Sequence, residues 1–262
     1  LPLINVLVNF IIIYLYLLMT NKKEIIAGII IIGNEILSGR TKDLNTSVLS
    51  KWLNSIGIKI VEVRTIPDIE EIIINTVNEL KQKFDYVFTS GGIGPTHDDI
   101  TSESASKAFS LKYEIHKEAY KILEKYYGTN EFNEGRQRMS WMPSKANLIL
   151  NPAGGAPGFY VENVFCLPGV PSILESMIPS LTNKLVCGEP ILSKTISVKT
   201  FESEIAKPLK QVQEKNKDVD IGSYPFFKKG KIGVSIVLRS RDESKIDKCN
   251  SQILEFIKEK KI

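Results

Sequence analysis

Paired cysteines, CxxC spacing, dense basic blocks and the two common phosphate-loop fingerprints are all missing from this chain. Each absence removes a class of function. The 34 Lys and Arg against 30 Asp and Glu leave a net charge of +4, with no Lys/Arg block interleaved with aromatics, so nucleic acid is not the expected partner. The run KEKK at Lys258–Lys261 reads as a solvated helix end. Cys166, Cys187 and Cys249 form an odd, widely spaced set. That argues against a disulfide framework and a zinc site, and points to buried free thiols in a reducing compartment. Internal repeats are absent, and so are low-complexity tracts beyond residue 18.

What is present suffices for a packed core. The 262 residues are 43% hydrophobic and 24% charged, enough for one large domain and a small one. The first stretch, LPLINVLVNFIIIYLYLL, carries no charge through Leu18. It is long enough for a membrane span. A secretory signal needs positive charge in front, whereas Lys22 and Lys23 come after it. The chain does not start with Met, and the Ile, Leu, Asn, Phe and Tyr bias matches translated AT-rich upstream DNA. Residues 1–22 are therefore read as upstream translation, with a membrane anchor as the alternative. On either reading the two lysines favour a cytoplasmic location for the rest of the chain.

From Lys23 the pattern alternates strand and helix. EIIAGIIII (Glu24–Ile32) is a continuous apolar run, expected of a strand buried on both faces. NTSVLSKWLNSIG has helical spacing and ends on Gly57; IKIVEVRTI (Ile58–Ile66) reads as a second strand. DIEEIIINTVNELKQK opens with Asp68 as N-cap and Glu71 three residues on, the form of a capping box. FDYVFT (Phe84–Thr89) is a third strand, followed by a helix from Thr101 or Ser102 to Phe109. KEAYKILEKYYG is another helix, LILNPAGGAPGFYV approaches a hairpin, and NVFCLPGVPSILESMIPSL gives a strand, a turn and a helix after Pro171. Such alternation implies a three-layer α/β/α sandwich on a mostly parallel sheet, assigned to residues 23–188. Residues 189–262 read strand, helix, strand, strand, helix, a small α+β domain with a hairpin turn at Lys228–Lys231.

Ligands of parallel sheets bind beyond the carboxyl ends of the strands. TSGGIGPTHDDIT (Thr89–Thr101) sits at such an end. Gly91, Gly92 and Gly94 let backbone N–H groups approach an anion closely, and the next helix points its amino terminus the same way. Ser90, Pro95 and Thr96 complete the candidate ligand contacts of this loop. Asp98 and Asp99 beside a bound phosphate suit a bridging divalent cation, or an oriented nucleophile. Asp68 faces the same edge, although its local role reads as the N-cap. His97 is weighed as a phosphate contact or acid/base, and Arg136 and Arg138 as phosphate contacts; a plain surface role is the commoner outcome for all three. A tight strand-to-helix turn with Thr101 as N-cap is the alternative for the whole loop. GNEILSGR (Gly33–Arg40) follows the first strand in the same way, and offers Asn34, Glu35, Ser38 and Gly39. Glu35 could take a ribose, a pterin amino group or a metal. LPGVP (Leu167–Pro171), with Gly169, is the third loop.

Together GNEILSG, Pro67–Asp68, TSGGIGPTHDDIT, NPAGGAPGF and LPGVP resemble the MoaB/Mog molybdopterin-binding domain, in the form found in the CinA-like (competence/damage-inducible protein A) family. That form is also similar to the amino-terminal domain of eukaryotic FAD synthases. The match covers about Lys23 to Leu185, and IGSYPFF with VSIVLRS resembles the small domain that comes after it. The amidohydrolase domain of longer CinA proteins, which deamidates nicotinamide mononucleotide, has no counterpart in these residues, so its activity is not implied. The resemblance implies a site for a pterin or a nucleotide phosphoanhydride, with a divalent cation such as Mg. Residues matching Asp68 and Asp99 support adenylyl transfer to molybdopterin in Mog-type proteins. In CinA-like proteins the same domain is associated with metal-dependent hydrolysis of ADP-ribose-like pyrophosphates, and in FAD synthases with FAD hydrolysis. Ile93 departs from the GGTG form of the molybdopterin proteins, and PTHDD is closer to the CinA form, which favours hydrolysis. Molybdopterin binding and a non-catalytic binding module are the alternatives. Dimers or trimers are implied by the family.

Overall fold

The computed structural model describes residues 24–228 and 231–260. The apolar segment 1–22 and the turn residues 229–230 lie outside the described residues. Among the described residues no helix is long and apolar enough to cross a membrane. The chain divides into two compact units, with the main break between Gly188 and Glu189 and the short segment Asn54–Gly57 grouped with the second.

The first unit is built on strand β1 (Ile25–Ile32), the short helix α1 (Asn34–Leu37), helix α2 (Asn45–Ser55), β2 (Ile58–Ile66), α3 (Glu70–Lys83) and β3 (Tyr86–Ser90). It continues through α4 (Thr101–Ala108), β4 (Tyr113–Ile115), α5 (Lys117–Tyr127), α6 (Glu134–Arg138) and β5 (Trp141–Pro143). It closes with β6 (Asn147–Ile149), β7 (Gly158–Val161), β8 (Val164–Leu167) and α7 (Pro171–Thr182). The six-stranded sheet has the order β2-β1-β3-β8-β7-β6. The first four strands are parallel, and β7 runs antiparallel to both neighbours. This is the expected mostly parallel sheet, closed on one side by antiparallel strands. β4 and β5 form a separate two-stranded ladder.

Sheet alternation explains why β1 reads as an unbroken apolar run. Ile30 and Ile32 point to one face, into a core with Ile73, Val77 and Leu80 of α3 and Ala105 and Ala108 of α4. Ile29 pairs in register with Phe88, so both point to the other face. There Phe88 stacks on Phe165 at 5.2 Å and meets Trp52 of α2 edge-on at 6.1 Å. The missing side chain of Gly158 leaves room for Met177 of α7, whose Cε lies 3.0 Å from where a Cβ would stand. Helices thus cover both faces, and all four consecutive isoleucines of β1 are buried.

The sequence-based N-cap of α3 is corrected. Ile69, not Asp68, occupies the cap position, and no side chain caps the helix. The Ile69 amide turns back to the Pro67 carbonyl at 2.8 Å, which starts the helix later and sets Asp68 outside it. Glu70 and Glu71 in the first turn still match the helix dipole. GNEILSG also differs from the polar loop expected: Asn34–Leu37 close one helical turn, with Ser38 as its C-cap. α1, α6, β4 and β5 are each too short for a periodic signal.

The second unit has β9 (Leu192–Val198), α8 (Glu202–Lys215), β10 (Asp220–Lys228), β11 (Lys231–Ser240) and α9 (Glu243–Lys260). Its antiparallel sheet has the order β10-β11-β9. Its own core joins Val234, Ile236 and Leu238 to Ile205, Ile246, Cys249 and Ile253.

Two measurements check this packing. Phe88→Ala removes a fully buried ring and is expected to cost about 3–5 kcal/mol in denaturant unfolding of the first unit, whereas Phe227→Ala, at an exposed ring, stays within about 0.5 kcal/mol. Burial pushes the Cys166 thiol up to about 12, and Cys249 is also buried and raised, whereas Cys187, expected to be buried with them, is exposed in the stretch after the last helix of the first unit. A maleimide reagent at pH 8 therefore labels Cys187 in the native protein and all three thiols in guanidinium, read by mass spectrometry.

Candidate functional site

The carboxyl ends of β1, β2, β3 and β8 meet at one edge of the first unit. The Gly33 amide donates to the Ile66 carbonyl at 3.2 Å, and the Gly91 amide to the Leu167 carbonyl at 3.0 Å. These bonds tie the first residue after β1 to the end of β2, and the first after β3 to the end of β8. Gly91 has a φ of 109° and its α-carbon lies against the Ile32 carbonyl, leaving no space for a Cβ. Gly169 packs on the same spot, its hypothetical Cβ 3.4 Å from the Gly91 α-carbon. Gly91 has to be glycine because backbones converge there, while a Cβ on Gly169 would meet Gly91 at ordinary contact distance.

Beneath this junction Asn45 of α2 acts as a peg. Its buried Nδ2 donates to Ser90 Oγ at 2.8 Å and to the Gly169 carbonyl at 2.7 Å. Ser90 Oγ donates in turn to the Pro168 carbonyl at 3.1 Å. Ser90 is buried, so its place is under the site, holding the third loop to the first strand ends.

The acidic residues are positioned by backbone. Asp68 accepts the Asn34 amide on Oδ2 at 2.8 Å, clamping the loop after β2 to the start of α1. Asp99 Oδ2 accepts the Thr96 amide at 2.8 Å and the Thr96 hydroxyl at 2.5 Å. The Asp99 amide returns to the Thr96 carbonyl at 3.2 Å, closing a tight turn. The Asp99 carboxylate lies over Gly94, at 2.6 Å from where a Cβ would be. Glu35 folds back over Gly33 in the same manner, at 2.5 Å. The neighbouring Thr96 hydroxyl, followed by Asp98's own amide, holds Asp98 below the ordinary carboxylate range.

These residues line a cleft of about 650 Å³. Of the residues singled out from sequence, it brings together Glu35, Asp68, Gly91, Gly92, Gly94, Pro95, Thr96, Asp98, Asp99 and Gly169. Asn34, Ser38, Gly39 and Ser90 are not in its lining. Asn34 contributes its amide to Asp68, Ser38 bonds the Glu35 carbonyl, and Gly39 carries the chain out of α1 with a φ of 73°. Thr101 is no N-cap: Ile100 takes that place, the Thr101 amide donates to the Gly92 carbonyl at 2.8 Å, and its buried hydroxyl has no partner among the described residues. The lining also includes Arg136, another residue singled out from sequence, together with Tyr127, Met139, Asn151, Gly154 and Ala156. Asn45 and Tyr127 gave no sequence signal, because each reads as one position on an amphipathic helix. NPAGGAPGF did signal Asn151, Gly154 and Ala156, through the family resemblance alone.

Charge on the lining is one-sided. Among the described residues, Glu35, Asp68, Asp98 and Asp99 face a single cation, Arg136. Among them, too, no three His, Cys, Asp or Glu side chains are grouped to hold a metal ion by themselves. The oxygen donors fit a hard cation that shares its coordination with a ligand's phosphates, as magnesium does, rather than one caged by protein. Asp68 and Asp99 each have one oxygen fixed by a backbone amide, while Oδ1 has no hydrogen-bond partner among the described residues.

Residues 28–186 match the model of a family described as probable molybdopterin binding domain, and residues 190–262 one described as FAD synthase, middle domain. A relative from Archaeoglobus fulgidus is 37% identical over 233 residues, covering 89% of this chain and 98% of its own length. One from Saccharolobus islandicus is 32% identical over 249 residues, 88% of this chain and 94% of its own. Among solved structures, the protein CinA from Thermoplasma acidophilum, described as of unknown function, is similar at a TM-score of 0.58 and 31% identity. That likeness covers 62% of this chain and 98% of the other.

Substituting the two glycines separates stability from ligand placement. Gly91→Ala meets the Ile32 backbone at a positive φ, and is expected to lower stability by about 1–3 kcal/mol or more. Gly33→Ala meets only the movable tip of Glu35, so its melting temperature stays near wild type while the carboxylate is pushed from its place. Thermal unfolding of both variants checks this.

Proposed function

Because the chain belongs to the CinA-like group of the MoaB/Mog molybdopterin-binding-domain family, we propose that its cleft binds a small nucleotide pyrophosphate of the ADP-ribose or FAD kind and hydrolyses the anhydride with a divalent cation. The observation that carries this reading is the placing of a glycine-rich loop and two backbone-fixed aspartates on one cleft, each aspartate keeping one oxygen without a partner among the described residues. An anionic ligand entering among four carboxylates and one guanidinium needs added positive charge. A bound cation such as Mg would supply it, neutralising the phosphates and the developing charge on the leaving group.

In this reading Asp98 and Asp99 would hold the cation, which would supply positive charge beside the phosphates. Gly92 and Gly94 leave the loop's backbone uncovered, so amides other than those of Gly91 and Thr96, which bond within the protein, can approach the phosphates. Asp68, held by the Asn34 amide, orients the attacking water through Oδ1 and takes its proton. The water oxygen bonds to one phosphorus, the bridging P–O bond breaks, and the other phosphate leaves with the electron pair. Glu35 over Gly33 completes the acidic rim. Ile93 packs against the hydrophobic core. It also lines the cleft, where its hydrocarbon side chain has no hydroxyl to give the substrate, which favours hydrolysis over adenylyl transfer. Nucleotide substrates of this kind accord with activity in the cytoplasm. Molybdopterin is the second candidate ligand, favoured by the description of the matched family; its phosphate would occupy the same loop.

The test is phosphate release, after phosphatase coupling, from ADP-ribose, FAD, NAD and ATP with Mg, Mn or Co. Turnover of one compound is expected, with Asp99→Asn and Asp68→Asn each lowering kcat about 10²-fold or more. Turnover unchanged in both variants, or none with any compound, overturns the hydrolase; molybdopterin binding by the same protein would then take its place.

A further inference from the structure

Among the described residues Arg136 is the only cation on the cleft lining, and its surroundings fix how it is presented. Its guanidinium lies on the Tyr127 ring, 4.2 Å from the centroid. Nη1 donates to the Glu131 carbonyl and to Glu131 Oε2, the latter at 3.1 Å. Both bonds use the same nitrogen. Among the described residues Nη2 and Nε have no partner, and this Nε/Nη2 edge is the fork that binds two phosphate oxygens side by side. The carboxylate of Glu131 is mostly exposed, so it orients Arg136 without cancelling its charge across a dry contact.

The helix that carries Arg136 abuts the glycine loop. Gly135 comes close to Pro95, whose carbonyl is 3.6 Å from the position of a Cβ on Gly135. Arg138, two residues on, is off the lining and reaches the Asp99 carbonyl at 3.5 Å, so it supports the loop from behind. Arg136 thus lines the cleft from a helix that lies against Pro95, in the middle of the loop. Resting on the proposed use of the cleft, we infer that Arg136 is a specificity-determining clamp for the ligand's second phosphate. The glycine loop takes one phosphate and the Nε/Nη2 edge takes the next. A ligand with a single phosphate leaves that edge empty, and a diphosphate fills both places.

The probe is inorganic pyrophosphate with magnesium, titrated calorimetrically into the full chain and into its Arg136→Gln and Arg136→Lys variants. Wild type is expected to bind at one saturable site. Arg136→Gln should bind at least tenfold more weakly at an unchanged melting temperature, and Arg136→Lys should fall between, keeping the charge and losing the fork. Should the glutamine variant fold poorly, the lysine variant carries the comparison. Wild-type affinity in both variants overturns the clamp and leaves the cleft as the pyrophosphate site. No binding by wild type overturns the clamp together with the reading on which it rests.

Discussion

Everything at the site depends on how closely the backbones after β1, β3 and β8 approach one another. The Gly91 α-carbon touches the Ile32 carbonyl, and Gly169 closes over Gly91. A side chain at Gly91 would drive the strand ends apart. That separation would unseat Asn45 from Ser90 and Gly169, and with it the loop that forms the cleft's third side. The sheet behind supplies the rigidity. Its central strands are buried on both faces, so their ends have little freedom to shift.

Upon this frame the acids are held by a repeated device. Asp68 and Asp99 each give one oxygen to an amide from a neighbouring turn and keep the other open. Glu35 and Asp99 each lie over a glycine, where a β-carbon would displace them. Negative charge is thereby gathered beside the glycine loop proposed to take the ligand's phosphate. The two features are compatible only when a cation joins the ligand, which is why the proposed chemistry includes one. Arg136 stands apart from that arrangement, oriented by an aromatic face and an exposed glutamate rather than by the sheet.

Family likeness and geometry bear on different questions. The matches to the molybdopterin-binding domain and to the Thermoplasma CinA structure establish the lineage and the fold. They leave the ligand to be argued from side chains, because one fold serves several ligands. The inward packing of Ile93 and the one-sided charge of the lining are properties of this chain's own residues.

The amino-acid sequence by itself determined the layered architecture, since an unbroken run such as Glu24–Ile32 suits only a strand covered on both faces, and helical spacing between such runs requires crossovers. It also determined the glycine loop and its aspartates, because Gly91, Gly92 and Gly94 report a backbone demand directly. Tertiary structure alone decided what Asp68 does. Its local pattern is that of a helix cap, yet the turn at Pro67 moves the helix start and frees the carboxylate for Asn34, a residue 34 positions away. Ser90 and Asn45 went the same way: a serine in a glycine loop looks like a ligand contact until the register of β3 turns it inward to meet Asn45. Contacts between distant residues leave no local period or spacing to read. They exist only once the strands have paired and the helices have covered them.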